Sequence, residues 1–216
     1  MTPTLRKVAL TAHVTFSVGW LGAVVAYLAL AIAGLASRDA QTVRAAYPSL
    51  ELLIRFVIVP LALASLASGL FQSLATPWGL IRHYWIVAKL ALTVVATTIL
   101  LIHMPAVGRM ARIAAETALS ADDFRTERLQ LVIHAAGGLG VLLVITTLSV
   151  FKPWGLTPYG RRARSERPPA VVEAPVLVAA QEAATPRWAK IVGVHVVLVL
   201  VLVAVAHHIA SGGHHH

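Results

Sequence analysis

The sequence predicts an all-α fold: a polytopic bundle of transmembrane helices with a four-helix core and a fifth spanning helix. Three observations carry this. Of 216 residues, 58% are hydrophobic and only 12% charged, with a mean hydropathy of +0.78. A water-soluble domain carries about 25% charged residues. The apolar residues also gather into five long runs rather than spreading through the chain, and basic residues, Pro and Gly fall between the runs.

Taken in order, the runs extend from about Val8 to Leu35, Leu50 to Leu74, Trp85 to Met104, Leu129 to Phe151 and Trp188 to Ile209. Each is long enough to cross a hydrocarbon layer of about 30 Å at 1.5 Å per residue. The first is too long for a cleaved signal peptide and reads as a retained span. Residues 1–155 thus form the four-helix transmembrane core, 156–187 a linker, 188–210 the fifth helix and 211–216 a His-rich tail. The linker holds Pro158, Pro168, Pro169, Pro175 and Pro186, which predicts an extended segment from Thr157 onward. Between the third and fourth runs, Arg109 to Gln130 is polar but rich in helix formers. There Ser120 followed by Asp123 predicts a capped helix start outside the bilayer.

Counting Lys and Arg between spans orients the chain. With the N-terminus cytoplasmic, ten basic residues lie inside and seven outside, and the C-terminus is external. This predicts a multi-pass protein of the plasma (inner) membrane. Membrane lipid is its first partner, a redox partner in the membrane its second, and oligomerisation is compatible with the sequence. The net charge of +9 serves topology and anionic headgroups, so nucleic acid is excluded as a partner. The absence of Cys excludes disulfides and thiolate chemistry. No P-loop, HExxH or serine-histidine-acid set is present, which argues against nucleotide and hydrolase chemistry.

A weak repeat runs through the core. Pro77-Trp78-Gly79-Leu80 follows the second run, and Pro153-Trp154-Gly155-Leu156 follows the fourth, 76 residues later. One reading is two like hairpins about an axis along the membrane normal. The other is chance, since Pro, Trp and Gly are ordinary helix terminators at an interface.

Ionisable residues at membrane depth each need a partner or a role, because an uncompensated Lys there costs at least ~2.5 kcal/mol on insertion scales. Lys89 lies about one turn inside the third span. Its stem either snorkels to the headgroups or holds the ammonium against a carboxylate. His103 shares its face, about 40° away in phase and about 21 Å further out. His83 points the other way, beside Arg82, Tyr84 and Trp85, and reads as interfacial. His103 and His134 fall at matching depth in the outer half, whereas His13 and Lys89 lie in the inner half. Facing imidazoles within a four-helix bundle are the usual axial ligands of a b-type haem. A packing role for the same histidines stays open. His195 has no evident partner and reads as structural; His207, His208 and the terminal His214-His215-His216 carry no assignment.

From His13 to Lys152 the chain resembles a bacterial family of small helical membrane proteins. That family includes the HemJ-type protoporphyrinogen oxidase, the membrane domain of copper-resistance protein D and a large set of uncharacterised integral membrane relatives, which it resembles most. The residues that carry the likeness are His13 and Trp20, then Glu51, Arg55, Pro60, Gly69 and Leu70, then Trp85 with Lys89, and last Lys152-Pro153. The resemblance implies a haem b-binding four-helix core in which His13 and Lys89 matter. The expected function is electron transfer or tetrapyrrole oxidation by a membrane oxidoreductase. His103 with His134, or His13 with one of them, are the expected axial ligands, and Lys89 and Arg55 are expected to meet carboxylates. The rival expectations are a copper-handling protein, which the shortage of sulfur ligands opposes, and a non-catalytic membrane subunit or scaffold.

Overall fold

The computed structural model describes residues 2–75, 80–116, 123–153 and 155–165. The fifth apolar run with His195, the tail and most of the linker lie outside the described residues. Within them the chain is helical with no strands, and four helices are long and apolar enough to cross a membrane.

Helix α1 spans Pro3–Ala36. Thr2 caps it by accepting the Leu5 amide at 3.3 Å, and Pro3 supplies a preset first turn. The chain reverses at Asp39, whose carboxylate accepts the amides of Gln41 and Thr42 and the Thr42 hydroxyl at 2.6 Å. That cap starts α2, Ala40–Leu53, about ten residues earlier than hydropathy predicts. A π-helical turn, Ile54–Ile58, joins it to α3, Val59–Ala75. The wide turn has a local cause. Pro60 has no N–H for the Phe56 carbonyl and its ring would press on it, so the ladder opens and the Val59 N–H bonds Ile54 instead.

Helix α4 runs Tyr84–Glu116, through Pro105 and well past the Met104 boundary read from hydropathy. The polar extensions of α2 and α4 are helical because they bury each other: Val43, Tyr47 and Leu50 share one core with Val107, Met110 and Ala114. Helix α5, Arg125–Phe151, does not begin on the expected capping box. Asp123 lies in a turn outside the helix, Phe124 precedes the first helical residue with φ 51°, and no side chain caps it. Ser120 lies outside the described residues. Lys152, also left-handed, closes the helix ahead of Pro153.

The start of the expected linker is folded. Residues Pro158–Ser165 form a short helix, α6. Thr157 anchors it: its amide donates to Arg82 O at 2.9 Å, its hydroxyl donates to Ile81 O at 2.7 Å and accepts the Gly160 amide at 3.1 Å. Gly160 then lies so close to the Arg82 carbonyl that a Cβ has no room. The proline there sits at a helix start, where it costs nothing.

In the bundle, α1 packs on α2–α3 and on α5, and α4 packs on α2–α3 and on α5. This is the up-down arrangement of a four-helix bundle, with α1 and α4 in diagonal positions. Phe56, Ile102 and Val150 stand 67–69% exposed on its outside. Such an apolar surface is stable against lipid and not against water. The repeated motif closes two helices in the same way, whereas α1 and α4 end 80 residues apart, at Ala36 and Glu116. Helices α3 and α5 end 76 residues apart, at Ala75 and Phe151, and the two post-helix loops meet as His83 pairs with Leu156.

Candidate functional site: an intramembrane cleft with a stacked histidine pair

The four long helices enclose a cleft of about 810 Å³, its open mouth included. Its walls are overwhelmingly apolar. Trp20, Val24 and Tyr27 come from α1, and Ile54 and Ile58 from the two ends of the π turn. Residues from Val95 to His103 come from α4, and from Leu131 to Leu142 from α5. The π turn is therefore functional in placement, since it brings both isoleucines, each nearly fully buried, to one wall.

The polar groups of the cleft collect toward the end near the α1–α2 turn. His103 and His134 are brought together there, as their matched depth predicts, with ring centres 3.9 Å apart and planes 19° from parallel. Two imidazoles that bind one metal from opposite sides, each at about 2 Å, hold their ring centres roughly 6 Å apart with the ion between them. The stack is not that arrangement. His134 Nδ1 is 2.8 Å from the Gln130 carbonyl, which only accepts. The proton is thus on Nδ1 and the lone pair on Nε2, the tautomer that ligating histidines adopt.

The other expected site residues lie elsewhere. His13 is in the inner half, its Nδ1 3.0 Å from the Ser68 hydroxyl, with Gly69 making room for the ring. It does not line the cleft and is not brought to either of the other two histidines. Lys89 lies near enough to His13 and Lys152 to act on them electrostatically. Its ammonium sits 5.6 Å from the centre of the Trp85 ring, one turn nearer the inner end. Arg55 meets a carboxylate of its own chain, Glu51, at 3.0 Å and is 57% exposed. His83 packs near Trp85 at the inner loops, as an interfacial residue does. Among the described residues no group of three or more His, Asp or Glu gathers around a common point.

Three contributors were not found from sequence. Arg128, counted only as an outer charge, is completely buried; it donates to the Tyr47 hydroxyl at 2.7 Å and to the Gly34 carbonyl, tying α5 to α1 and α2 above the cleft. A signal existed: Arg128, Leu131, Ala135 and Leu142 fall on one helical stripe, and all are buried. Tyr27 and the Gly137-Gly138 pair also line the cleft, and no motif announces them.

The arrangement defines a class: a multi-pass helical membrane protein with an apolar intramembrane cleft and an oriented imidazole inside it. Compared with protein-family models, curated proteins and solved structures, the chain matches none of them.

Proposed function

We propose that the protein holds a flat, redox-active ring of the b-type haem class in the cleft, as a membrane electron-transfer or tetrapyrrole-handling protein. The observation that carries this is His134, set in an apolar cleft with its Nδ1 held against the Gln130 carbonyl, which leaves Nε2 as the nitrogen that would meet a metal. His134 is the residue that would bind the iron. His103, stacked on it, backs the ring and holds its orientation, in place of the two opposed ligands expected from depth alone. A haem so held supplies one-electron chemistry at its iron, while the helices set its dielectric and exclude water. Trp20, Tyr27 and the two isoleucines of the π turn provide the flat apolar wall that such a ring needs.

A visible spectrum of the detergent-purified protein tests the proposal. A Soret band in the protein as purified, or after addition of haemin, is expected. A protein that stays colourless and leaves added haemin unchanged overturns it. Stoichiometric copper without colour would favour the metal-handling alternative, and neither would leave a scaffold or non-catalytic subunit. The membrane side is part of the proposal. The ten-to-seven basic bias supports a cytoplasmic N-terminus, and the proposed setting is a bacterial plasma membrane. A reporter fused after Gly160 should read cytoplasmic and one between α4 and α5 external; the reverse overturns the orientation.

A further inference from the structure

The internal repeat allows the two halves of the cleft to be compared within one chain. The five cleft residues of the first hairpin, Trp20, Val24, Tyr27, Ile54 and Ile58, are all 8% exposed or less. In the second hairpin Leu131, Ala135, Val141 and Leu142 are equally buried, but Val95 is 42% exposed, and Ile99, Gly137 and Gly138 are half-buried. Among the described residues the cleft is therefore closed on the first hairpin and opens sideways between α4 and α5.

The repeat also gives the cause. Residues 76 positions apart correspond, so Gly19, Leu61 and Ala62 answer to Val95, Gly137 and Gly138. In the first hairpin the Leu61 side chain fills the seam, 3.4 Å from where a Cβ on Gly19 would stand, and Ala62 has no exposed surface. At Gly138 an added Cβ would meet nothing within 4 Å. Leu61 and Ala62 of the closed seam are thus matched by Gly137 and Gly138, and at Gly138 the other seam is open among the described residues. A second observation points to the occupant. Tyr27 lines the cleft, and its hydroxyl is fully buried with no hydrogen-bond partner among the described residues. A buried phenol of this kind stands ready to donate to a bound molecule.

We propose that the cleft is loaded sideways from the bilayer, through the notch that Gly137 and Gly138 leave between α4 and α5. The ligand is a flat, largely apolar ring carrying an acceptor for the Tyr27 hydroxyl. This rests on the reading of the cleft as a ring-binding site and adds the route and a specificity residue. Molecules of this class partition into the bilayer, so a lateral opening meets them where they are concentrated, whereas an aqueous mouth would not.

The test uses the full chain with Trp20 as its sole tryptophan (Trp78, Trp85, Trp154 and Trp188 changed to Phe) in phosphatidylcholine vesicles. Dibromobenzene dissolved in the bilayer should quench Trp20, and aqueous iodide should not. Gly138→Leu, whose side chain grows into open space, should reduce that quenching about fivefold or more with helical content unchanged. Should the four-Phe variant fail to insert, the difference between the wild type and Trp20→Phe gives the same reading. Haemin carried in donor vesicles should load at least about tenfold more slowly into Gly138→Leu, and bind about tenfold more weakly to Tyr27→Phe, the size of one good hydrogen bond. Failure of dibromobenzene to reach Trp20, or equal quenching in Gly138→Leu, overturns the lateral route. Haemin that never binds while dibromobenzene does reach Trp20 supports the route and removes the haem-class reading, so the two fail separately.

Discussion

Replacing Arg128 by methionine removes a buried guanidinium while keeping most of its stem. The structure gives the terms of the change. Two short charge-assisted hydrogen bonds are lost, to the Tyr47 hydroxyl at 2.7 Å and to the Gly34 carbonyl, with a longer one to the Asp123 carbonyl at 3.4 Å and the contact of the guanidinium 5.7 Å above the Tyr47 ring. The two bonds alone are worth roughly 3–6 kcal/mol. Against that, a buried cation carries a desolvation cost of several kcal/mol, which methionine removes. The bonds exceed that cost by a small margin, and the net loss is about 1–2 kcal/mol. Tyr47→Phe leaves the cation buried with one acceptor fewer and should cost about 1.5–3 kcal/mol. The double variant should cost at least about 1 kcal/mol less than the sum of the singles, because the two side chains share one bond. Unfolding in mixed micelles by increasing SDS fraction measures all three. Faster trypsin cleavage at Arg38, in the turn that the Gly34 contact steadies, should accompany the loss. An Arg128→Met protein within about 0.5 kcal/mol of wild type, the scatter of ordinary surface changes, refutes the reading of Arg128 as the outer clasp of the bundle.

Two further perturbations read other parts of the account. Asp39→Ala should speed hydrogen exchange at the Gln41 and Thr42 amides, which the carboxylate holds. The Thr42 hydroxyl, then the two amides, lower the Asp39 pKa. The cap is therefore fully present above the ordinary carboxylate range near pH ~4 and is lost as pH falls through the lowered value; exchange that is independent of pH there contradicts it. His13→Ala should leave any cleft spectrum intact, because His13 does not line the cleft. Lys89→Arg should behave as wild type if the ammonium merely snorkels over Trp85, and should impair ligand retention if a shaped carboxylate site depends on it.

The spans were legible because lipid is a simple solvent: a run of apolar residues long enough to cross it has few alternatives. Their ends were not. Residues 40–49 and 105–116 are polar by sequence and helical in fact, because Tyr47, Val107 and Met110 bury one another across two helices, a contact no local window contains. The same holds at Asp123, where a good local capping signal is overridden by the way α5 is seated through Arg128. For the cleft, helix rise alone put His103 and His134 at one depth. Their 3.9 Å stack depends on side-chain rotamers and on the Gln130 carbonyl, which depth does not specify. The repeat was visible only as a terminator motif. Leu61 and Gly137, which its offset aligns inside the helices, share no residue type.

The central claim is that His134 is the ligand within the cleft, and His134→Gly tests it most directly. Wild-type protein loaded with haemin should show a Soret band that His134→Gly lacks or shifts, and free imidazole added to the variant should restore it by filling the space left beside Gln130. A His134→Gly spectrum identical to wild type, with no response to imidazole, would contradict the account.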